Sequence, residues 1–449
     1  MLSLPASIEM VLQLCFGLID TVFVSNLGET AMAGVSLSNK IISLLIVIYG
    51  TVGIGGSILI SQHYGNGDKK KVSEISGQLF IFGILFGITS AVLIYNFSDN
   101  ILGIMGANKE VIQQGSVFLK IMAISIPINL LVILIVAIFR SIGNTKTPMI
   151  ITFTAICINT LLNYILIFGF MWIKPMGVEG AAVATLISKI INFILILYCL
   201  FFTDNKIKFY IKHFLTLSVA SFFKVIKLSI PVTISETCWA AGAFAYTILF
   251  TRLGTRELVA NQVILSIEDI FVMFAFGLTV SGLTIIGQEI GAKKYEQMHR
   301  ATKEILKIGA VLSVAYIFLF TLLGFSVQGI FRNISNESIE LAKWGLVFFG
   351  FIQPAKIVNF ILDNGILKGG NDTRFTMYAN FAVVFLVGIP CAYILGFLLN
   401  MGFWGVCIGR FAEEIARFIL MYTRYKSDKW YKSVIEPKKG TNVVSEINT

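Results

Sequence analysis

The sequence has few charged residues for its length. Only 13% of its 449 residues are Asp, Glu, Lys or Arg, whereas 56% are hydrophobic and the mean hydropathy is +0.83. Soluble domains carry about 25% charged residues. Because a water-soluble core could not bury this much apolar surface, the composition predicts a protein covered largely by lipid.

The sequence also lacks the short motifs of several enzyme classes. It contains no GxxxxGK[ST] loop, so we expect no direct use of ATP, and it has neither HExxH nor GxSxG. Its six cysteines lie in apolar stretches without a CxxC pair, and its three histidines lack ligand spacing. We therefore predict no catalytic residue, metal site or cofactor, and no cleavable signal peptide.

The formal net charge of +10 comes from Lys and Arg in short loops between apolar runs. That distribution indicates membrane topology rather than a surface for nucleic acid. Alternate loops are rich in basic residues, as at Lys69–Lys71 and Lys293–Lys294, and the intervening loops are poor in them. The positive-inside rule then predicts a multi-pass protein of the cell membrane with both termini in the cytoplasm.

Twelve stretches are long enough and apolar enough to span a bilayer, which needs about 20 residues. They start near Leu4, Val35, Ser76, Gln113, Ile150, Val178, Leu228, Leu258, Ile305, Ala342, Phe375 and Phe403. The predicted fold is therefore an all-α integral membrane protein of about twelve transmembrane helices.

The two halves of the chain repeat. The segment from Pro5 to Gly65 aligns without a gap with Pro231 to Gly291, matching proline, Leu-Gly, Gln and Gly positions. Each half holds six spans and inserts the same way up. We therefore predict two pseudo-twofold-related six-helix lobes with a cleft between them, whose rocking would give alternating access.

The predicted domains follow from this repeat and from a lysine-rich polar break. The N-terminal lobe covers 1–200, a cytoplasmic linker 201–227, the C-terminal lobe 228–424 and a cytoplasmic tail 425–449. The linker is predicted to hold a short amphipathic helix on the inner membrane surface.

Acidic residues within a bilayer are costly and are candidates for function. Glu9, Gln13 and Asp20 fall on one stripe of the first helix, which suits a proton or cation site. Asn159 and Asn163 share a face of the fifth helix, and Thr185 and Lys189 belong to a polar face of the sixth. For these polar residues, interhelical hydrogen bonding remains the competing interpretation.

The second half contributes further candidates for a substrate or secondary ion site. They are Glu236 beside Trp239, Glu268 and Asp269, and Asp363. Glu268 and Asp269 have no basic residue within two turns, so we expect them to face a ligand. Lys356 and Asp363 are expected to pair along one helix. The block Arg410, Glu413, Glu414 and Arg417 is expected to neutralise itself.

Taken together, four motifs resemble the multidrug and toxic compound extrusion (MATE) family over roughly Leu4 to Tyr425. They are Asp20-Thr-Val-Phe-Val-Ser-Asn-Leu-Gly28, the pair Gln62-His-Tyr-Gly65 and Gln288-Glu-Ile-Gly291, Phe139-Arg-Ser-Ile-Gly-Asn-Thr-Lys-Thr-Pro148 with its echo at Lys368, and Gly177-Val-Glu-Gly-Ala-Ala-Val-Ala-Thr185.

The resemblance implies a monomer that exports amphipathic, often cationic, drugs in exchange for H⁺ or Na⁺. It places the coupling acid at Asp20 and its hydrogen-bonding partners at Asn159, Asn163 and Thr185. One departure is Asn163, where family members often have Asp. Two alternatives stay open. One is a flippase or exporter whose substrate is a lipid-linked oligosaccharide or a metabolite. The other is an integral membrane enzyme.

Overall fold

The computed structural model describes residues 2–170, 172–203, 218–331 and 334–435. These residues form twelve helices in two sets of six. They are α1 (Ser3–Ser25), α2 (Glu29–Gly65), α3 (Lys69–Ile104), α4 (Lys109–Ser141), α5 (Lys146–Phe168), α6 (Gly177–Phe202), α7 (Val219–Leu253), α8 (Thr255–Gly291), α9 (Tyr295–Ile330), α10 (Asn336–Leu367), α11 (Thr373–Leu398) and α12 (Gly402–Lys426).

Most helices begin earlier than their apolar runs. The predicted seventh span starts at Leu228, but α7 begins at Val219, because Ser218 caps it by accepting a hydrogen bond from the backbone N–H of Ser221. Asp68 caps α3 in the same way. Hydropathy locates the apolar middle of a helix, whereas polar caps and charged first turns set its ends.

Ten of the helices in the described ranges are long and apolar enough to cross a membrane. The other two are α7 and α12. Both carry charged residues; in α12, Arg410 pairs with Glu268 of α8, whereas Arg417 pairs with Glu413 and Glu414 of its own helix. Both helices, which the sequence predicted from apolar stretches starting near Leu228 and Phe403, pack within the bundle, α7 against α2 and α12 against α10.

Each lobe has its own core. Buried side chains of α2, α3 and α4 centre on Leu79, Ile138 and Phe139 in the N-terminal lobe. In the C-terminal lobe they centre on Phe250 and Phe349. Large apolar residues such as Phe318 and Leu386 are about 70% exposed on the outer surface, as lipid-facing positions should be.

The lobes meet through α1 and α2 of one and α7 and α8 of the other. A Cβ at Gly65 would overlap the carbonyl oxygen of Gln288, and a Cβ at Gly291 would overlap that of Gln62. The Ser3 and Ser281 hydroxyls are 2.9 Å apart. Small residues in both copies of the repeat thus let the backbones touch, which closes this end of the interface.

The other end of the interface is open. Gln13 and Leu18 of α1 line a cavity of about 410 Å³, and Met273 of the opposite lobe also lines it. The complete lining is Met10, Gln13, Leu14, Gly17, Leu18, Thr21 and Met273. The cleft therefore opens at the opposite end of the bundle from the first residues of α1 and the last residues of α12.

Two predicted boundaries differ from the observed helix ends. The linker was expected at 201–227, yet 219–227 belongs to α7, so the helix replaces the second part of the linker. The expected amphipathic helix falls on 204–217, which lies outside the described residues. The expected tail includes residues 427–435, which pack back on the bundle, as described below.

Candidate ion-coupling and substrate site

The polar residues of the N-terminal lobe form a hydrogen-bonded chain across three helices. The Asn163 amide on α5 donates to Asp20 Oδ1 on α1 at 2.5 Å and to Asn159 Oδ1 at 3.0 Å. Asn159 donates in turn to Thr185 Oγ1 on α6 at 3.4 Å. The four residues that the family resemblance grouped together therefore lie together.

This chain leaves one acceptor oxygen atom free inside the lobe. Asn163 is 1% exposed, and its Oδ1 atom has no hydrogen-bond partner among the described residues. It belongs to the same side-chain amide whose N–H donates to the Asp20 carboxylate. Carboxylate and amide oxygens are the ligands that hard cations prefer, and a buried carboxylate also accepts a proton.

A lysine of the same lobe adds positive charge beside the carboxylate. Lys189 on α6 is close enough to Asp20 for the two charges to interact. Its ammonium lies 5.4 Å from the centre of the Phe16 ring on α1, which is within cation–π range. Asp20 is thus partly compensated, and an entering cation would meet Lys189 as a competitor.

The three residues predicted to form one stripe on α1 lie in three different environments. Glu9 is fully buried, and its carboxylate lies 2.9 Å from Arg140 at the end of α4. Glu9 therefore does not face solvent, and Arg140 compensates its buried charge. Gln13 lines the cavity, and Asp20 joins the polar chain further along.

In the C-terminal lobe Glu268 is an ion-paired group. It is 2% exposed and lies 2.9 Å from Lys356 and 3.1 Å from Arg410, and it accepts a hydrogen bond from Gln353 at 3.0 Å. The expectation of a carboxylate without a basic neighbour is wrong for Glu268, since its partners come from other helices. Asp269 next to it is exposed.

A second buried network surrounds Lys368 at the end of α10. Its ammonium lies 2.8 Å from Glu236 and 3.4 Å from Asp363, and it is fully buried. Asp363 also accepts a hydrogen bond from Asn380 at 2.8 Å. The expected pair of Lys356 with Asp363 is therefore wrong, and Trp239, one turn from Glu236, is 54% exposed.

The helix α10 departs from regular α-helical hydrogen bonding at this network. Leu362–Leu367 forms a π-helical turn that contains Asp363, a feature that occurs often at functional sites. Gly365 within the turn packs against Thr279 and Gly282 of α8. The turn thus positions Asp363 and Lys368 against α7.

The charge block on α12 neutralises itself only in part. Arg417 lies 2.5 Å from Glu413 and 3.0 Å from Glu414, as expected. Arg410 instead reaches Glu268 and lies over the Phe349 ring at 4.4 Å. Sequence spacing identifies pairs within one helix, but it carries no signal for pairs between helices that are far apart in the chain.

One signal for such pairs was present in the repeat. Arg140 and Lys368 occupy matching positions, and each forms an ion pair with an acid of the first helix of its lobe. Those acids are Glu9 and Glu236, which differ by one position in the alignment. The repeat therefore matches the two basic positions in the sequence, and the structure shows which acids they meet.

Comparison with known proteins places these features in a family. The chain is 25% identical to the uncharacterized transporter YisQ of Bacillus subtilis (strain 168), over 96% of this chain and 94% of that protein. It is 27% identical to the probable multidrug resistance protein NorM of Thermotoga maritima, over 97% and 93%.

The fold is also that of solved transporters. An outward-facing structure of a multidrug resistance MATE family transporter of the MOP superfamily superposes with a TM-score of 0.85, at 20% identity and over 95% of both chains. The MatE family model matches residues 5–165 and 231–394, one match in each lobe. The chain therefore belongs to the MatE family.

Proposed function

We propose that this protein is a secondary antiporter that exports amphipathic, cationic compounds from the cell in exchange for H⁺ or Na⁺. The observation that carries the proposal is that the Asp20 carboxylate accepts a hydrogen bond from the Asn163 amide nitrogen, while the buried Oδ1 of Asn163 has no hydrogen-bond partner among the described residues. The multidrug names of several relatives support the substrate class.

The cavity suits an amphipathic substrate. Its lining is mainly apolar, with two methionines, Met10 and Met273, and the polar groups of Gln13 and Thr21. Methionine is flexible and polarisable, so it adapts to apolar surfaces of different shape. Because Gln13 and Asp20 lie on the same helix, a substrate held in the cavity and an ion held by Asp20 both act on α1.

Exchange follows if the ion and the substrate favour different arrangements of the lobes. A ligand shifts a conformational equilibrium only by its difference in affinity for the two states. Binding of a cation or proton at Asp20 would change its contacts with Asn163 and Lys189, and hence the position of α1. We infer that substrate release and ion entry are coupled through this helix.

We further propose that the termini lie in the cytoplasm. The closed end of the interface is the end at which the lysine-rich turns Lys69–Lys71 and Lys293–Lys294 follow α2 and α8. With those turns inside, the open cleft faces outward. A cation released there would leave the cell.

The test is ethidium transport with Na⁺ and H⁺ gradients imposed separately. We expect one gradient to drive wild-type transport, and Asp20→Asn to reduce it to background with normal expression. Asp99→Asn is the matched control, since Asp99 is 60% exposed on α3 and pairs only at 3.6 Å with the exposed Lys120.

Two results would overturn the proposal. Gradient-driven transport retained by Asp20→Asn would remove Asp20 from the coupling site. If neither the Na⁺ nor the H⁺ gradient moves any organic cation in the wild type, that result would instead favour a lipid-linked oligosaccharide or metabolite as substrate.

A further inference from the structure

The segment after α12 crosses from one lobe to the other. We call residues 427–435 the C-terminal strap. The Lys432 backbone N–H donates to the Gly370 carbonyl of the C-terminal lobe at 2.8 Å. The Gln62 amide at the end of α2 donates to the Lys432 carbonyl at 3.2 Å, and Gln62 Oε1 accepts from the Val434 backbone N–H at 2.8 Å.

The strap is anchored firmly on the C-terminal lobe. Trp430 is fully buried, and its ring fills the space where a side chain at Gly370 would lie. Asp372, in the turn before α11, binds Arg424 at 2.6 Å and Lys432 at 2.9 Å. Burial of a whole indole ring makes this anchor the stronger of the strap's two attachments.

On the N-terminal lobe the attachment is smaller. It consists of the two hydrogen bonds to Gln62 and of Val434, which packs against the apolar core of that lobe. Gln62 itself lies at the closed end of the interface, where its backbone touches Gly291. Separation of the lobes at this end would therefore pull Gln62 away from the strap.

The repeat shows that the strap is an addition to the basic interface. Gln288, the counterpart of Gln62, donates directly to the Ser141 carbonyl at the end of α4, at 2.8 Å. Gln62 makes both of its side-chain hydrogen bonds to the strap instead. The end of α10 corresponds in the repeat to the end of α4, so it is where an acceptor for Gln62 would be expected. The strap takes that place.

We propose that the C-terminal strap is a latch that holds the lobes together at the closed end and releases Gln62 whenever that end opens. The proposal rests on the proposed alternation of the lobes. It assigns the latch to the arrangement seen here, in which one segment bridges Gln62 and Gly370. Weakening the anchor should favour the opposite arrangement, because the latch stabilises one state alone.

The first experiment locks the latch. In a cysteine-free background, Gln62→Cys with Val434→Cys is oxidised to cross-link the strap to α2, with each single variant as a control. We expect ready cross-linking, loss of substrate movement in the oxidised protein, and recovery on reduction. Failure to cross-link, or full transport while cross-linked, would overturn the proposal.

The second experiment reads conformation without any substrate. Spin labels at Lys70→Cys and Gln297→Cys, exposed positions just beyond the closed end in the two lobes, report the distance between the lobes. We expect Trp430→Ala to raise the ratio of separated to closed lobes by about tenfold or more. The control is Trp172→Ala, since Trp172 is 92% exposed.

The two experiments separate this proposal from the proposed function. An unchanged distance distribution in Trp430→Ala would refute the latch whatever the substrate is. A shifted distribution with no ion-driven transport would support the latch while refuting the antiporter. The cross-link tests the latch in a protein that keeps Trp430, so the proposal can still be refuted if Trp430→Ala misfolds.

Discussion

At the residue scale the bundle contains two kinds of acid. Asp20 has an amide donor and a nearby lysine, and it belongs to a chain with an unused acceptor. Glu9, Glu268 and Asp363 have close basic partners within 3.4 Å. A cation would have to displace the basic partners of those three acids, whereas Asp20 forms no ion pair within 4 Å among the described residues, and this is why Asp20 stands out.

We predict that Glu268→Gln destabilises the protein. The change would leave Arg410 and Lys356 buried with one anion fewer, and breaking a buried pair costs about 3–5 kcal/mol. The thermal unfolding midpoint of purified protein should fall clearly. Glu304→Gln, whose pair with Lys307 is on the surface, should change stability by less than about 1 kcal/mol.

If Glu268→Gln melts like the wild type but loses transport, Glu268 has a role in ligand binding that its contacts do not indicate. The same comparison decides whether the Lys356–Glu268–Arg410 cluster is architectural.

At the scale of helices the close approach of α2 and α8 depends on glycine. Gly65 and Gly291 touch the backbone of the opposite lobe, and both are followed by polar turns that end the helices. No other residue lacks a Cβ, so only glycine permits this contact. The contact occurs twice because the repeat places the same motif on both sides.

We predict that Gly65→Ala opens the closed end. The new Cβ would overlap the Gln288 carbonyl, so the lobes must separate there. A cysteine at the buried Ser281 should then react faster with a maleimide, by about an order of magnitude. Gly50→Ala on the same helix is the control, since a Cβ there meets nothing within 4 Å. Equal reactivity in the two variants would contradict the prediction.

At the scale of the whole molecule the open cleft and the basic turns lie at opposite ends. We predict that a membrane-impermeant maleimide labels Trp172→Cys, between α5 and α6, in intact cells. It should label Lys70→Cys only after the cells are opened, since Lys70 begins a basic turn region that the positive-inside rule retains in the cytoplasm. The reverse pattern would mean that the open cleft faces inward.

The sequence alone determined the class of fold, the number of helices and the repeat, and its resemblance to the MATE family implied the grouping of Asp20 with Asn159, Asn163 and Thr185. These depend on apolar run length, on spacing within a helix, and on motifs that recur in order. The family match and the solved structures agree with the fold and the family. The assignment of an ion site to Asp20 remains a prediction.

Only the tertiary structure decided which charges meet. Arg140 and Glu9 are far apart in the chain, as are Arg410 and Glu268, and no period within one helix connects them. It also showed that the strap returns to Gln62, although the strap lies beyond the last span. Contacts between distant segments depend on how helices pack, and packing is a property of the whole bundle rather than of any one stretch of sequence.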